Sequence, residues 1–367
     1  MKILITHIIE ALESLAHPSL QESYDNAGTL VGDINKECTG VICTLDVTEA
    51  VLEESIKKKA NLIISHHPII FNGLKRINGN HYVERIVITA IKHDIVLYAI
   101  HTNLDNVLHG VNAKLADVLG LVDRTVLLPK SNTLKKLYTF APSTHVENIK
   151  QALFTAGAGH IGSYSECSFQ AHGIGTFKAS LDAQPFIGKA GERHEEAEIK
   201  IETVFSAELE LRILQALLKA HPYETVAYDI VSLSNAHPER GSGILGQLPE
   251  PLTEQEWLRH VQTTLQLKAI RHTTVTGKKM QKIAICGGAG SFLTKKAIQA
   301  NADSYVTADI KYHEFFEADG KLLLMDVGHW ESEQFTINLL QDFLRQKFPT
   351  FAILKSEIIT NPIQHYF

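Results

Sequence analysis

The stretch GVICTLDVTEAVLEESIKKKANLIISHHP, residues 40–68, decides the fold by its spacing. Residues 40–45 are a short, almost wholly apolar run and predict a buried strand. Residues 48–60 predict a helix, with Thr48 as its N-cap and Lys57, Lys58 and Lys59 in the last turn, where cations suit the helix dipole. Residues 61–64 are apolar again and predict a second strand. Continuous apolar strands alternating with helices belong to a parallel sheet covered on both faces.

The same grammar extends outward. Residues 3–16 have helical spacing, with Ile5, Ile8, Ile9, Leu12 and Leu15 on one side, and Pro18 ends the run. Tyr24-Asp25-Asn26-Ala27-Gly28 reads as a turn before a short strand at 29–31. A helix at 82–92 and a strand at 95–100 follow. Near the other end, strands at 282–286, 304–307 and 322–327 alternate with helices at 292–300 and 334–348. The middle differs: a strand at 136–141, a helix at 144–156, two strands within 157–195, a strand at 198–205, a helix at 207–220 and a strand at 225–233. That order is close to β-α-β-β-α-β, the ferredoxin-like arrangement. Pro129 and the His-, Pro- and Gly-containing stretch 236–243 are natural boundaries. The expected fold class is α/β: a discontinuous core domain with a parallel or mixed sheet, residues 1–129 plus 241–367, and an inserted ferredoxin-like α+β domain at 130–240.

Composition bounds the function. The 367 residues carry 35 basic and 41 acidic side chains, a formal charge of −6, with 44% hydrophobic and 21% charged residues. Such a chain can bury sizeable cores, and its length suits roughly two domains of ~150 residues. The mild acidity argues against nucleic-acid binding by phosphate neutralisation. No run approaches the ~20 apolar residues of a membrane span, and the first residues lack the pattern of a secretory signal. Cys38, Cys43, Cys167 and Cys286 have no CxxC spacing and read as reduced thiols, which points to the cytoplasm. The 19 histidines are spread along the chain, so metal or proton chemistry is weighed position by position.

Ligands of open parallel sheets bind beyond the carboxyl ends of the strands. Here those exits are rich in donors. Asp46 follows the first strand of the quoted stretch, and Ser65-His66-His67-Pro68 follows the second. His101-Thr102-Asn103-Leu104-Asp105-Asn106 follows 95–100, and Gly287-Gly288-Ala289-Gly290-Ser291 follows 282–286. Asp309 and His313 follow 304–307, and Gly328-His329-Trp330-Glu331-Ser332-Glu333 follows 322–327. Parallel strands are expected to bring these six exits to one edge.

Taken singly, each has a plain reading: a polar turn before Pro68, an Asx turn at Asp105, an exposed helical pair at His329 and Glu333. Taken together, His66, His67, Asp105, His329 and Glu333 form a nitrogen and oxygen donor set without sulfur. That set suits zinc, manganese, iron, cobalt or nickel better than calcium. Five donors exceed what one tetrahedral ion with an open position uses, and a bridging carboxylate would complete two ions ~3.5–4 Å apart. Asp309 and His313, spaced i, i+4, are candidate catalytic groups that shuttle protons or sit behind the ligands. Gly288, Gly290 and Ser291, with Lys311, are candidates to hold a phosphate or other anion, against the alternative of a tight strand-to-helix turn. The dinucleotide fingerprint fails at Leu293, and neither a Walker lysine nor a serine elbow is present. His221-Pro222-Tyr223-Glu224 reads as a helix-to-strand turn or a functional loop.

The motifs Tyr24–Gly28, Ser65–Pro68, His101–Asp105 and Gly328–Glu333, in this order, resemble the GTP cyclohydrolase 1 type 2 homologue family. The insert, with His221-Pro222-Tyr223-Glu224, resembles the domain similar to PII and CutA proteins in longer members. The resemblance implies two divalent ions per subunit, zinc first among them, held by His66, His67, Asp105, His329 and Glu333, with Glu333 as the bridge. It also implies a toroidal homohexamer with sites facing an internal cavity. Two functions follow as expectations. One is a metal-dependent hydrolase acting on a nucleotide, by cyclohydrolase chemistry, or on a phosphoester. The other is a non-enzymatic metal-bearing scaffold or regulator whose insert senses a small molecule or binds a partner.

Overall fold

The computed structural model describes residues 2–366. It divides into two compact units: one runs to Pro129 and resumes at Glu239, and the other is Lys130–Pro238.

The first unit contains two sheets. One has the order Gly28–Val31, Val96–Ala99, Leu62–Ser65, Val41–Thr44, Ile353–Lys355, parallel throughout except for its first strand. The three central strands (VICT, LIIS and VLYA) are buried at every position, as covering on both faces requires. Alternate residues serve opposite cores. Val41, Leu62, Ile64 and Val96 pack with Ile5, Ile8 and Leu12 of helix Ile5–Leu15 and with Leu340 and Leu344 of helix Thr336–Lys347. Ile42, Ile63 and Leu97 pack with Val51 and Leu52 of helix Glu49–Lys57 and Val83, Ile86 and Val87 of helix Tyr82–Lys92. Thr48 caps its helix by accepting from the Val51 amide.

The second sheet has the order Arg271–His272, Leu323–Asp326, Ser304–Ala308, Lys279–Ala289, Gly241–Thr253, Val122–Pro129. Its middle strands are parallel and its flanks antiparallel. The six donor-rich exits therefore belong to two sheets, three to each, rather than to one edge. Strands Val122–Pro129 and Gly241–Thr253, which flank the second sheet and complete it, were not expected. The latter carries Gly241, Gly243, Gly246, Pro249 and Pro251, residues that break a strand pattern, and its pairing shifts register after Gln247.

The Lys130–Pro238 unit is a four-stranded antiparallel sheet in the order Ser168–Lys178, Arg193–Ser206, Leu134–Pro142, Tyr228–Ser232. Helices Val146–Thr155 and Glu210–Ala220 cover one face, closing a core around Leu137, Ile149, Ile201, Phe205, Ile213 and Leu217. This is the ferredoxin-like topology. Within 157–195 one strand forms, not two; residues 179–192 are irregular, consistent with Pro185, Gly188 and Gly191 there. No helix among the described residues is long and apolar enough to cross a membrane.

Candidate metal centre

The chain continues its parallel ladder past Ser65, the His66 and His67 amides donating to the Thr44 and Leu45 carbonyls. This fixes the two adjacent imidazoles in place. His66 is wholly buried, and its Nδ1 donates to the Ile100 carbonyl at 2.9 Å. His67 Nδ1 donates to Asp46 Oδ1 at 2.7 Å, and Asp46 Oδ2 accepts from Thr360 Oγ1 at 2.5 Å. His101, at the next exit, donates from Nδ1 to Asp25 Oδ1 at 2.7 Å; Asp25 also accepts from the Thr102 amide and hydroxyl. On the second sheet, His329 Nδ1 donates to Asp309 Oδ2 at 2.7 Å. All four imidazoles thus spend Nδ1 on an oxygen acceptor and present Nε2, the arrangement that orients histidines toward metals.

The Nε2 atoms and two carboxylates converge. His66 Nε2 lies 3.6 Å from Asp105 Oδ1 and 3.7 Å from Glu333 Oε1. His67 Nε2 and His329 Nε2 lie 3.0 and 3.1 Å from Glu333 Oε2, and 3.2 Å from each other. Three sets have their donor atoms mutually within 4.8 Å: His66, Asp105 and Glu333; His67, His329 and Glu333; and His66, His67 and His101. Each oxygen of Glu333 faces a different set. His66 Nε2 and Asp105 Oδ1 are buried without a hydrogen-bond partner, and Glu333 Oε2 is buried with only the His67 and His329 ring nitrogens against it. Buried polar atoms left in this way call for a missing partner. With every Nδ1 carrying its proton, the Nε2 lone pairs would face carboxylate oxygens, and only a cation between them relieves that repulsion. The residues present therefore fit divalent metal.

Without metal, protons must take that place. Burial pulls the His67 imidazole down, but hydrogen bonds and charge from Asp46 and Glu333 outweigh it and hold it up at about 10. Burial likewise opposes, and Glu333 and Asp309 overcome, so that His329 is held up at about 9. Burial and the charge of Glu333 push Asp105 up to about 7. Burial would raise Glu333, yet the surrounding His66, His329 and His67 keep it well below the usual carboxylate range.

Local sequence makes room for this. Gly288 has φ +63°, and a Cβ there would stand 3.2 Å from Glu333 Cδ and 3.3 Å from His329 Cε1, and closer still to Glu333 Oε1. The glycine run thus lets the Glu333 carboxylate lie against the backbone. It is not an open anion loop. The strand runs to Ala289, the Gly287 amide donates to Asn112 Oδ1 and the Gly288 amide to Ser332 Oγ, both at 2.9 Å. Gly290 is buried, its carbonyl accepting from the Tyr305 hydroxyl, and Ser291 opens a single 3-10 turn.

Of the residues singled out in sequence, His66, His67, Asp105, His329 and Glu333 come together in these sets. Asp309 stands behind His329 rather than among the sets. His313 and Lys311 are exposed beyond it, the His313 ring against Tyr312 and Phe316. Three participants were not singled out: His101, and the orienting carboxylates Asp25 and Asp46. Asp46 and His101 each stand directly at a strand exit, which was signal enough; Asp25 lies 76 residues from His101, and its role had no local signal.

The family described as Duf34/NIF3 (NGG1p interacting factor 3) matches residues 3–362. A "GTP cyclohydrolase 1 type 2 homolog" of Halalkalibacterium halodurans is 38% identical over 361 residues, covering 97% of this chain and 97% of that protein. The homolog of the same name in Bacillus subtilis is also 38% identical over 361 residues, covering 97% of this chain and 96% of its own. Among solved structures, a Bacillus cereus protein related to NIF3 superimposes with a TM-score of 0.86 at 36% identity, covering 100% of both chains.

Proposed function

The chain belongs to the Duf34/NIF3 family, and on that premise we propose that it is a hydrolase of a nucleotide or phosphoester that works with two divalent cations. One observation carries the reading: four imidazoles fixed through Nδ1 gather with the carboxylates of Glu333 and Asp105 into three overlapping donor sets, in which His66 Nε2 and Asp105 Oδ1 lie buried without a hydrogen-bond partner. His66, Asp105 and Glu333 would hold one ion, with His101 beside them. His67, His329 and Glu333 would hold the other, with Glu333 as the bridge. The nitrogen-rich donor set favours zinc, with manganese, iron, cobalt and nickel as alternatives. Such ions supply Lewis acidity, activating water at neutral pH and neutralising charge on the electrophile.

The chain's own residues do the rest. Asp46, Asp309 and Asp25 hold His67, His329 and His101 in a single tautomer and raise their basicity. Asp309, half exposed beside the second set, is also the group placed to take a proton at the rim. The test is elemental analysis of wild type and Glu333→Gln, with hydrolysis of GTP and of a generic phosphodiester measured alongside. Two ions per chain and activity in wild type, both lost in the variant, is the expected result. Two ions with no hydrolysis in a broad screen overturns the enzyme and leaves the second reading, a metal-bearing regulator, which the cavity of the inserted unit favours. The homohexamer implied by the family resemblance is part of the proposal, with light scattering at six times the chain mass as its check.

A further inference from the structure

The sheet of the Lys130–Pro238 unit has a second face that neither helix covers. Strand alternation puts Tyr138, Phe140, Glu198, Lys200 and Glu202 on that face, opposite the buried Leu137, Ile199 and Ile201. On strand Ser168–Lys178 the same face carries Ala171, Gly173 and Gly175, cross-strand from Lys200, Glu198 and Glu196. These small residues hollow the floor. Segment 179–187 arches over it, tied down where the Gln184 amide donates to Glu224 Oε2 at 3.0 Å and where the Phe186 ring meets those of His145 and Tyr223. A cavity of about 630 Å³ results, within the range of small-molecule sites.

Its chemistry is one-sided. Phe140, Phe177, Phe186 and Tyr223 supply aromatic wall, and Glu198 and Glu224 supply carboxylates. The Tyr223 hydroxyl donates to Glu198 Oε1 at 2.7 Å, fixing that side chain, and its other oxygen leans over Gly175, where a Cβ would stand 2.7 Å from Glu198 Cδ. Lys200 also lines the cavity, but its ammonium is turned to Glu202 at 2.8 Å and over the Tyr138 ring at 4.5 Å. His172 lines the cavity as well, but with Lys200 paired to Glu202 the charged groups left to meet a ligand are the carboxylates Glu198 and Glu224, set among π-faces.

We infer that this cavity binds an organic cation, an amine with an apolar or aromatic body, its ammonium against Glu198 and its body between Phe140, Phe177 and Phe186. The site is separate from the metal centre and stands whether or not that centre is catalytic.

The full-length chain is titrated by calorimetry with tryptamine and with indole-3-acetate, which share a ring and differ in charge. Tryptamine is expected to bind at least about tenfold more tightly, with Glu198→Gln weakening it about tenfold or more and Ala171→Trp, which fills the floor, abolishing it. Circular dichroism and metal content are measured on both variants to show that the fold is kept. The inference is overturned if the two probes bind alike, if tryptamine gives no heat to roughly 10 mM, or if Glu198→Gln binds as wild type does. It is also overturned if Ala171→Trp changes the mass in light scattering, since the hollow would then be a contact between copies of the chain.

Discussion

Replacing Gly288 by Ala tests how the centre is assembled, and a second glycine provides the control. Gly288 and Gly320 both have φ +63°, so alanine at either pays the same left-handed penalty of about 1–2 kcal/mol. Around Gly320 a new Cβ meets nothing within 4 Å; at Gly288 it meets Glu333 Oε1 and lies 3.2 Å from Glu333 Cδ and 3.3 Å from His329 Cε1. The Glu333 carboxylate, only 3% exposed and hemmed by His66, His67 and His329, must shift by a good part of an ångström. A shift of that size in a carboxylate serving both ions exceeds the loss from disturbing a supporting residue, so the expected fall in metal affinity is about 100-fold or more. Competition with a chromophoric chelator measures it, with thermal unfolding alongside. Both variants should lose about 2–4 °C per kcal/mol of strain, and only Gly288→Ala should lose metal. Wild-type affinity in Gly288→Ala, or equal loss in both, refutes the placement of Glu333 between the ions.

Other outcomes follow from the same geometry. Asp46→Asn keeps a hydrogen-bond acceptor for His67 but removes its charge, so metal affinity by chelator competition should fall about 10–100-fold while the fold is retained. Metal uptake must expel the protons that His67 and His329 hold up to about 10 and about 9; calorimetry in buffers of different ionisation enthalpy should show proton release on binding at pH 7–8 and tighter apparent binding as pH rises toward 9. In the metal-free protein these raised imidazole values favour folding fully below the unfolded value of ~6.5, and that stability is lost as pH rises through about 9 and then about 10. The melting-temperature gap between metal-loaded and metal-free protein should therefore widen from pH 6 to 9, and a constant gap contradicts the assignment. Thr360→Val removes the hydroxyl that donates to Asp46 and accepts from Trp330 Nε1, and should weaken metal binding by less than Asp46→Asn does.

Much of this was legible in the sequence because the physics was local. Strands VICT, LIIS and VLYA are short and apolar at almost every position, helix Tyr82–Lys92 has a clean apolar stripe, and donors at strand exits mark where a site can form. What was not legible depended on pairing between distant segments. That the exits belong to two sheets rests on strands Val122–Pro129 and Gly241–Thr253, the second obscured by its glycines and prolines. Helix Glu254–Thr264 does carry a local signal, the reciprocal cap of Thr253 and Glu256. The glycines at 287–290 looked like an anion loop because a tight turn and a close approach both demand glycine; only the position of Glu333 distinguishes them. The residue behind each imidazole is a tertiary fact in the same way, as Asp25 behind His101 and Asp309 behind His329 attest.

Crystals of the zinc-loaded protein, measured at the zinc absorption edge, bear most directly on the metal centre. Two anomalous peaks per chain, ~3.5–4 Å apart, are expected, one among His66, Asp105 and Glu333 and the other among His67, His329 and Glu333. A single peak, or zinc bound away from Glu333, contradicts the two-ion centre.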